Sequence, residues 1–499
     1  MRSEGVLDDP DVAYVIATIE DMLPVGVRPR QLRVRTLLVG MLIAQADSRP
    51  AHLTRVHEAL VALGEPDRWR LGVLATTKAG PHLLTYRQVE RTFSLVVAVL
   101  DRGPGHRRPS GLTEQLSCVL LEASIAGEWK DASRSLGLDW TDLESFSRPP
   151  VKRGGECFDM EASWGHRRSN RPGDKGELFF GYYVQFATMV ADEGGGKVPE
   201  LARRMLVTSC HIDAPPAFVA VLQAMVAQGI ALGDVLVDSG YSHRVASNFA
   251  APLRILGAEL VMDLHPSDRG PQGTHLGAVI ANGSLYCPCT PQPLLSLGPT
   301  RRDASTTEAQ DADRRSAELD RYRLGRVTKD DSDGYHRVMC PAQLGKVRCP
   351  LREASMELVM DRPEVLHPPE HPPACCVQKT ITVSARVASK TAQKHPYPSK
   401  AWRRSYDRRA AAERTNATIK DPATNDVKRG WCRLAGVTAI SVFLACTLVV
   451  RNMRVTDSFE TRRLQDERRA RAGLGPKTRR RRRKTLSDLV DSGNARLTT

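Results

Sequence analysis

The stretch Ser405–Asp421, SYDRRAAAERTNATIKD, sets Tyr406, Arg409, Glu413 and Lys420 at the spacing Y-x2-R-x3-E-x6-K. Offsets of three, four and seven stack side chains on one helical face. Ala410, Ala411 and Ala412 are strong helix formers. The spacing therefore predicts one helix that presents a phenol, a guanidinium, a carboxylate and an ammonium in a line. A carboxylate among cations suits a metal ion and nucleic-acid phosphates better than it suits a core. The plainer alternative is a solvated helix with ordinary i,i+4 charge pairs. What separates the two is whether further carboxylates stand upstream in suitable settings.

Just downstream, Leu434–Val450, LAGVTAISVFLACTLVV, is the one long uncharged apolar run, bracketed by Arg433 and Arg451. It reaches only the lower edge of a membrane span and directly follows the Tyr-Arg-Glu-Lys stretch, so we read it as a buried helix and expect no membrane partner. Phe459–Ala472 is expected as a charged helix. The chain carries a formal net charge of +15. From Arg451 to the end, 15 Lys/Arg stand against 6 Asp/Glu, placing +9 of that charge in the last 49 residues. Pro476–Lys484, PKTRRRRRK, has no apolar face and is expected to bind phosphates electrostatically. A basic tail on a mildly basic body points to a polyanion partner. The opening MRSEGVLDDPDV lacks an apolar run, and eleven cysteines are an odd number for a disulfide framework. A cytoplasmic protein is expected.

At 499 residues the chain has room for roughly two to four domains. Residues 1–130 read as helical, with apolar residues at helical spacing in Val27–Leu63 and Tyr86–Leu100 and a break at Ser48, Arg49 and Pro50. They form either a DNA-binding element or a plain bundle. Leu136–Ser147, LGLDWTDLESFS, reads as a short buried strand that ends at Asp139, with Asp142 as a competing acid. Asp159 falls in a polar stretch and reads as a solvated loop residue, with a secondary metal or DNA contact as the alternative. Phe179–Val190 is aromatic and β-branched, hence a strand. Ala214–Gly229 is a helix opened by Pro215 and Pro216. In VLVDSGYSHR, Val235–Arg244, three apolar β-formers end in Asp238, and Gly240 turns the chain. An acid at the end of a buried strand is aimed into a cleft, although the same residue can simply cap the next helix. Glu259–His265 is a further strand.

Asp139, Asp238 and Glu413 thus stand out as a trio. With the Tyr-Arg-Glu-Lys spacing, the Asp-Trp-Thr run at Asp139 and the Asp-x-Gly-Tyr run at Asp238, the chain resembles bacterial insertion-sequence transposases of the DDE type with a Y-R-E-K signature. The resemblance covers about residues 130–455 by motif and element order. Two departures stand in it: Trp140 occupies a position held by Gly in the family, and the family's Lys and His give way to Tyr183 and Gln185.

The resemblance implies an α/β fold: a ribonuclease-H-like mixed sheet with flanking helices, a helical N-terminal domain, and an irregular β-containing insertion before the last catalytic helix. The corresponding parts are 1–130, a first catalytic segment 131–267, a Cys/Pro-rich insertion 268–400, catalytic C-terminal helices 401–455, and a basic tail 456–499. It implies Asp139, Asp238 and Glu413 as ligands of Mg2+ (or Mn2+). Such ions, about 3.5–4 Å apart in two-metal sites, activate water and stabilise the leaving oxygen. Tyr406, Arg409 and Lys420 would contact DNA phosphates. The implied activity is cleavage and strand transfer at the ends of a mobile element, with double-stranded DNA and a homodimeric complex as partners. A nuclease of the same fold, or an inactive nucleic-acid-binding derivative, uses the same residues.

The insertion carries six cysteines. Cys287, Cys289, Cys340 and Cys349 are candidate ligands for a structural Zn2+, with Cys375 or Cys376 as substitutes. Free buried thiols are the alternative. Thr380–Ala388 contains the best strand of the insertion.

Overall fold

The computed structural model describes residues 2–25, 30–78, 80–102, 111–152, 155–167, 176–300 and 304–475. The basic run Pro476–Lys484 lies outside the described residues. Residues 1–453 form one unit and 454–499 another.

The N-terminal part is helical except for one hairpin. Helices span Pro10–Met22, Val34–Ala46, Leu53–Val61, Tyr86–Arg102 and Leu112–Ala123, and strands β1 (Leu74–Thr77) and β2 (Gly80–Leu83) pair antiparallel. The hairpin departs from an all-helical reading, because a four-residue strand offers too little pattern to register against the helical period. Ser48, with φ at +57°, makes the break between the second and third of these helices.

The centre is a mixed sheet of β3 (Ser135–Glu144), β4 (Ser163–Arg167), β5 (Glu177–Val190), β6 (Ala202–Ser209), β7 (Asp234–Val237) and β8 (Glu259–Met262). Strand β5 pairs antiparallel with β3, β4 and β6, whereas β7 lies parallel to both β3 and β8. The parallel β3–β7 ladder covers only Leu136–Val235 and Gly137–Leu236. Asp139 and Asp238 each stand two residues past the last pair of that ladder. Strand β3 does not end at Asp139, as its sequence suggested. It continues to Glu144, because the long β5 pairs with it residue for residue to Gly181.

Both faces of the sheet are covered. Leu136, Leu138, Val235, Val237, Leu260 and Met262 pack against the helix Ala214–Ala227 and its Phe218 and Leu222. On the other side, Tyr182, Val184 and Phe186 share a core with the N-terminal helices and with Ala439–Val450. That apolar run lies in the helix Val437–Arg471, whose bounds also take in most of the charged stretch expected as a helix of its own. Eighty-three per cent of its most apolar window is buried within the protein.

The insertion holds two small antiparallel sheets. One comprises β9 (Pro271–His275), β10 (Ala278–Ala281) and β11 (Ser284–Tyr286), and the other β12 (Gly325–Arg326), β13 (His336–Met339) and β14 (Ile381–Val383). Between them runs a 16-residue helix, Thr306–Arg321, opened by a capping box of Ser305 and Glu308. The S-x-x-E pattern was readable in the sequence.

The Ser405–Asp421 stretch is not one helix. Helix Lys400–Tyr406 passes through a 3-10 turn, Asp407–Arg409, into helix Ala410–Lys420. The last of these lies against β3 and β5. A Cβ on Gly137 would meet the Ala412 methyl at 3.3 Å, and Ala412 is fully buried. Small residues on both partners set this spacing, and Thr188 Oγ1 bonded to Thr415 Oγ1 at 2.9 Å fixes the register. Ala412→Leu is expected to overpack the contact and destabilise the protein by about 1–3 kcal/mol. Denaturant unfolding measures this, and an unchanged midpoint contradicts the packing account.

Candidate metal and phosphate site

Asp139 sits midway along β3, Asp238 directly follows β7, and Glu413 stands in the first turn of helix Ala410–Lys420. The three acids, 274 positions apart at the extremes, meet around one guanidinium. Arg409 Nη1 lies 3.6 Å from Asp139 Oδ2, and Arg409 Nη2 lies 3.7 Å from Asp238 Oδ2 and 3.2 Å from Glu413 Oε1. The side chain of Arg409 is 9% exposed, those of Asp139, Asp238 and Glu413 15, 33 and 37%. The trio therefore runs from a buried floor at Asp139 to an open rim at Glu413.

The two aspartates are also held from behind. Asp139 Oδ1 accepts from the Trp140 amide at 3.0 Å, and its Oδ2 accepts from Asn416 Nδ2 at 2.9 Å. Asp238 Oδ1 accepts from the Gly240 amide at 2.9 Å and so caps the short helix Ser239–Ser242. Capping and presentation into a cleft are both realised in Asp238, one oxygen for each. Asn416 was not singled out in the sequence; its signal was the i+3 offset from Glu413 on the same helix.

Burial pushes the Asp139 carboxyl up. Arg409 opposes this, while Asp238 and then Glu413 add to it, and the result is about 6 against an ordinary 3.8. The contacts of 3.2–3.7 Å from Arg409 are looser than paired hydrogen bonds. Among the described residues, Arg409 Nη1 and Asn416 Oδ1 are buried without a hydrogen-bond partner. Three hard oxygen donors around one cation have the chemistry that suits Mg2+ or Mn2+, although among the described residues their oxygens do not all lie within 4.8 Å of one another, so an ion would have to draw them inward.

Of the other residues implied as DNA contacts, Tyr406 is half-buried, stacked on Trp402 at 4.9 Å, and accepts from Arg409 Nε at 3.1 Å. It positions Arg409. Lys420 Nζ lies 3.0 Å from Asp142 Oδ1, apart from the trio. Asp142 also takes Arg167 Nη2 at 2.7 Å. Burial alone would raise the Asp142 carboxyl, but Arg167 and Lys420 outweigh it and hold it below its ordinary range. Asp139, not Asp142, is thus the acid that joins Asp238 and Glu413. Asp159 is not a solvated loop residue: it is 1% exposed, and it accepts from Ser145 Oγ, Tyr182 Oη and the Gly436 amide. A buried acid tying two segments together was invisible in a stretch that reads as polar loop.

The two departures from the family pattern are neighbours. Trp140 and Gln185 are cross-strand partners, the Trp140 ring lies 4.8 Å from that of Tyr241, and Tyr241 Oη donates to Gln185 Oε1 at 3.3 Å. A Cβ at Gly240 would meet the Trp140 indole at 3.1 Å. The indole thus fills the space that Gly240 leaves, and the backbone at Asp139 stays in the β3 ladder.

A set that the sequence reading missed is His243, His265 and Asp268, whose ligand atoms lie within 4.8 Å of one another. Lys390 Nζ sits 2.7 Å from Asp268 and already offsets its charge. The insertion cysteines Cys287, Cys289, Cys340 and Cys349 are free thiols that gather in one core, although no three of their sulfurs lie within 4.8 Å of one another among the described residues. Comparison of the chain with models of known protein families and with the sequences of characterised proteins returns no match.

Because the Asp139 pKa is raised in the folded protein, ionising it costs stability. That cost is absent below the unfolded value of 3.8, grows through about 6, and is fully present above it. Asp139→Asn should therefore stabilise the metal-free protein at pH 7.5 by about 3 kcal/mol, with the gain vanishing near pH 3.5. Thermal melts across pH in the presence of chelator measure it. A variant less stable than wild type at pH 7.5 contradicts the assigned burial and crowding.

Proposed function

We propose that this protein is a DDE-type transposase with a ribonuclease-H-like catalytic domain, cutting and joining DNA at the ends of its own mobile element. The observation that carries the reading is the meeting of Asp139, Asp238 and Glu413 around Arg409. Two of the acids leave parallel strands of a mixed sheet, and the third comes from a helix that follows a long insertion.

When bound, a pair of divalent cations supplies the Lewis acidity that makes water a nucleophile and stabilises the departing 3′ oxygen. Asp139, held by the Trp140 amide and Asn416, would hold the cations together with Asp238 and Glu413. Below about pH 6 Asp139 would have to lose its proton before it could hold a cation. Arg409, backed by Tyr406, keeps the three carboxylates together before loading and can turn toward a phosphate oxygen afterwards. Lys420 and Arg167, both part-exposed, are paired with Asp142, and Arg167 with Glu144 as well, so either would have to exchange a carboxylate for a phosphate to contact a DNA backbone. No residue is needed as a covalent nucleophile, because the 3′-OH freed by cleavage attacks the target phosphodiester at the same centre.

The test begins with short inverted repeats flanking the encoding gene. Duplexes that carry those ends should be nicked by the protein with Mg2+ or Mn2+ and then joined to target DNA. Glu413→Gln should lower the cleavage rate about 100-fold or more while leaving DNA binding intact. Cleavage without joining would reassign the protein as a nuclease, and undiminished cleavage by Glu413→Gln would overturn the site.

A further inference from the structure

Apart from the three carboxylates, the described residues bring one other set of metal-ligating side chains together. His243, His265 and Asp268 each offer one ligand atom, and those atoms all lie within 4.8 Å of one another. The topology explains how they meet. Strands β7 and β8 pair in parallel, so the segments that follow them leave the sheet at the same end. His243 comes directly after the short helix Ser239–Ser242 beyond β7, and His265 stands three positions beyond β8. Ser242 Oγ donates to the Asp263 carbonyl oxygen at 2.6 Å and joins the two segments. A 3-10 turn, Pro266–Asp268, then folds Asp268 back, and its amide donates to the His265 carbonyl oxygen at 2.8 Å.

Neighbouring groups orient these side chains. The Ser267 hydroxyl lies 2.7 Å from His265 Nδ1 and steadies that ring. The two imidazole rings stand 4.0 Å apart, centroid to centroid, at 34° to each other. Asp268 is buried and divides its oxygens: Oδ1 takes Lys390 Nζ at 2.7 Å, and Oδ2 faces His243 Nδ1 at 3.4 Å. Partners of this kind, a hydroxyl on an imidazole and a donor on the far oxygen of a carboxylate, hold ligands in position at metal sites.

The 3.4 Å separation discriminates between two uses of the pair. It is long for a hydrogen bond. It matches the edge of a tetrahedron whose corners lie about 2.0–2.1 Å from a central ion, an edge of roughly 3.3–3.4 Å. One edge of a zinc shell is therefore in place, and the ligand atom of His265 lies within 4.8 Å of both its ends. Closing the other two edges takes a movement of no more than about 1.5 Å at His265. Mg2+ prefers an all-oxygen octahedral shell, whereas Zn2+ takes imidazole nitrogen and carboxylate oxygen together. Both histidines are half-buried, so water reaches the fourth position. Lys390 is part-exposed and can turn to solvent as the ion arrives.

We propose that His243, His265 and Asp268 bind one Zn2+, with water as its fourth ligand, that fastens the root of the insertion to the ends of β7 and β8. Asp268 opens the insertion, and Lys390 stands near its close. The chain returns beside β8, where the Lys394 amide donates to the Leu260 carbonyl oxygen at 2.9 Å and Gln393 Oε1 accepts from the Met262 amide at 2.8 Å. An ion held by Asp268 thus acts where the chain both leaves and rejoins the sheet. The proposal is independent of the reading of Asp139, Asp238 and Glu413, since such a clamp serves the fold whether or not those acids cut DNA.

The experiment uses the full-length protein, stripped with chelator, dialysed and titrated with Zn2+ by calorimetry. His243→Gln and His265→Gln should each weaken zinc binding about 100-fold or more. Glu413→Gln, in the carboxylate site, and Cys349→Ser, in the insertion core, should leave it unchanged. Co2+ in place of zinc should give the visible bands of a nitrogen and oxygen shell without a strong sulfur-to-cobalt band. Anomalous scattering at the zinc edge should place the ion on His243, His265 and Asp268. Zn2+ should also slow hydrogen exchange of the amides of residues 263–270 in the wild type and not in the two histidine variants. Zinc affinity weaker than about 0.1 mM, wild-type affinity in His243→Gln, a sulfur-to-cobalt band from the first equivalent of Co2+, or an anomalous map without zinc at these three residues would each overturn the proposal. If a histidine variant fails to fold, the cobalt spectrum and the anomalous map of the wild type still decide it.

Discussion

Everything at the carboxylate site depends on how closely one helix can approach one strand. Glu413 reaches Asp139 because Ala412 meets Gly137 with no side chain between them. Larger residues at either position would hold the helix away and move Glu413 out of the cluster. The sheet supplies the complementary constraint. The parallel ladder of β3 and β7 covers only two residue pairs, and Asp139 and Asp238 stand just past it. Tight packing on one side and a short ladder on the other therefore position three acids that chain order keeps far apart.

Electrostatics then makes this arrangement costly and useful. Gathering three carboxylates over a buried floor is unfavourable, and the raised pKa of Asp139 is the measure of that. Arg409 reduces the cost without removing it, since its contacts are loose and one of its nitrogens has no hydrogen-bond partner among the described residues. A cation bound there would relieve that charge strain. Tyr406, expected as a surface contact to DNA, instead belongs to this balance through its bond to Arg409.

Much of the architecture was legible in the sequence because its signals were local. The strand at Asp238 announced itself by three apolar β-formers and a glycine, and the Leu434–Val450 helix by its unbroken apolar run. What was not legible depended on distant partners. Strand β3 outruns Asp139 because β5 is long enough to pair with all of it. Asp159 is buried by Tyr182 and the Gly436 amide, which no neighbouring residue foretells. Trp140 looked like a defect in a motif that wants glycine, yet it fits against Tyr241 over the glycine at 240. The choice of Asp139 over Asp142 was likewise made by Arg167 and Lys420, which lie 25 and 278 positions from Asp142.

The most direct measurement is the anomalous scattering of manganese in crystals of the full-length protein grown or soaked with Mn2+. The account predicts manganese bound by Asp139, Asp238 and Glu413, with the Arg409 guanidinium displaced from its position among them. Manganese absent from those three carboxylates, or bound only at His243, His265 and Asp268, would contradict it.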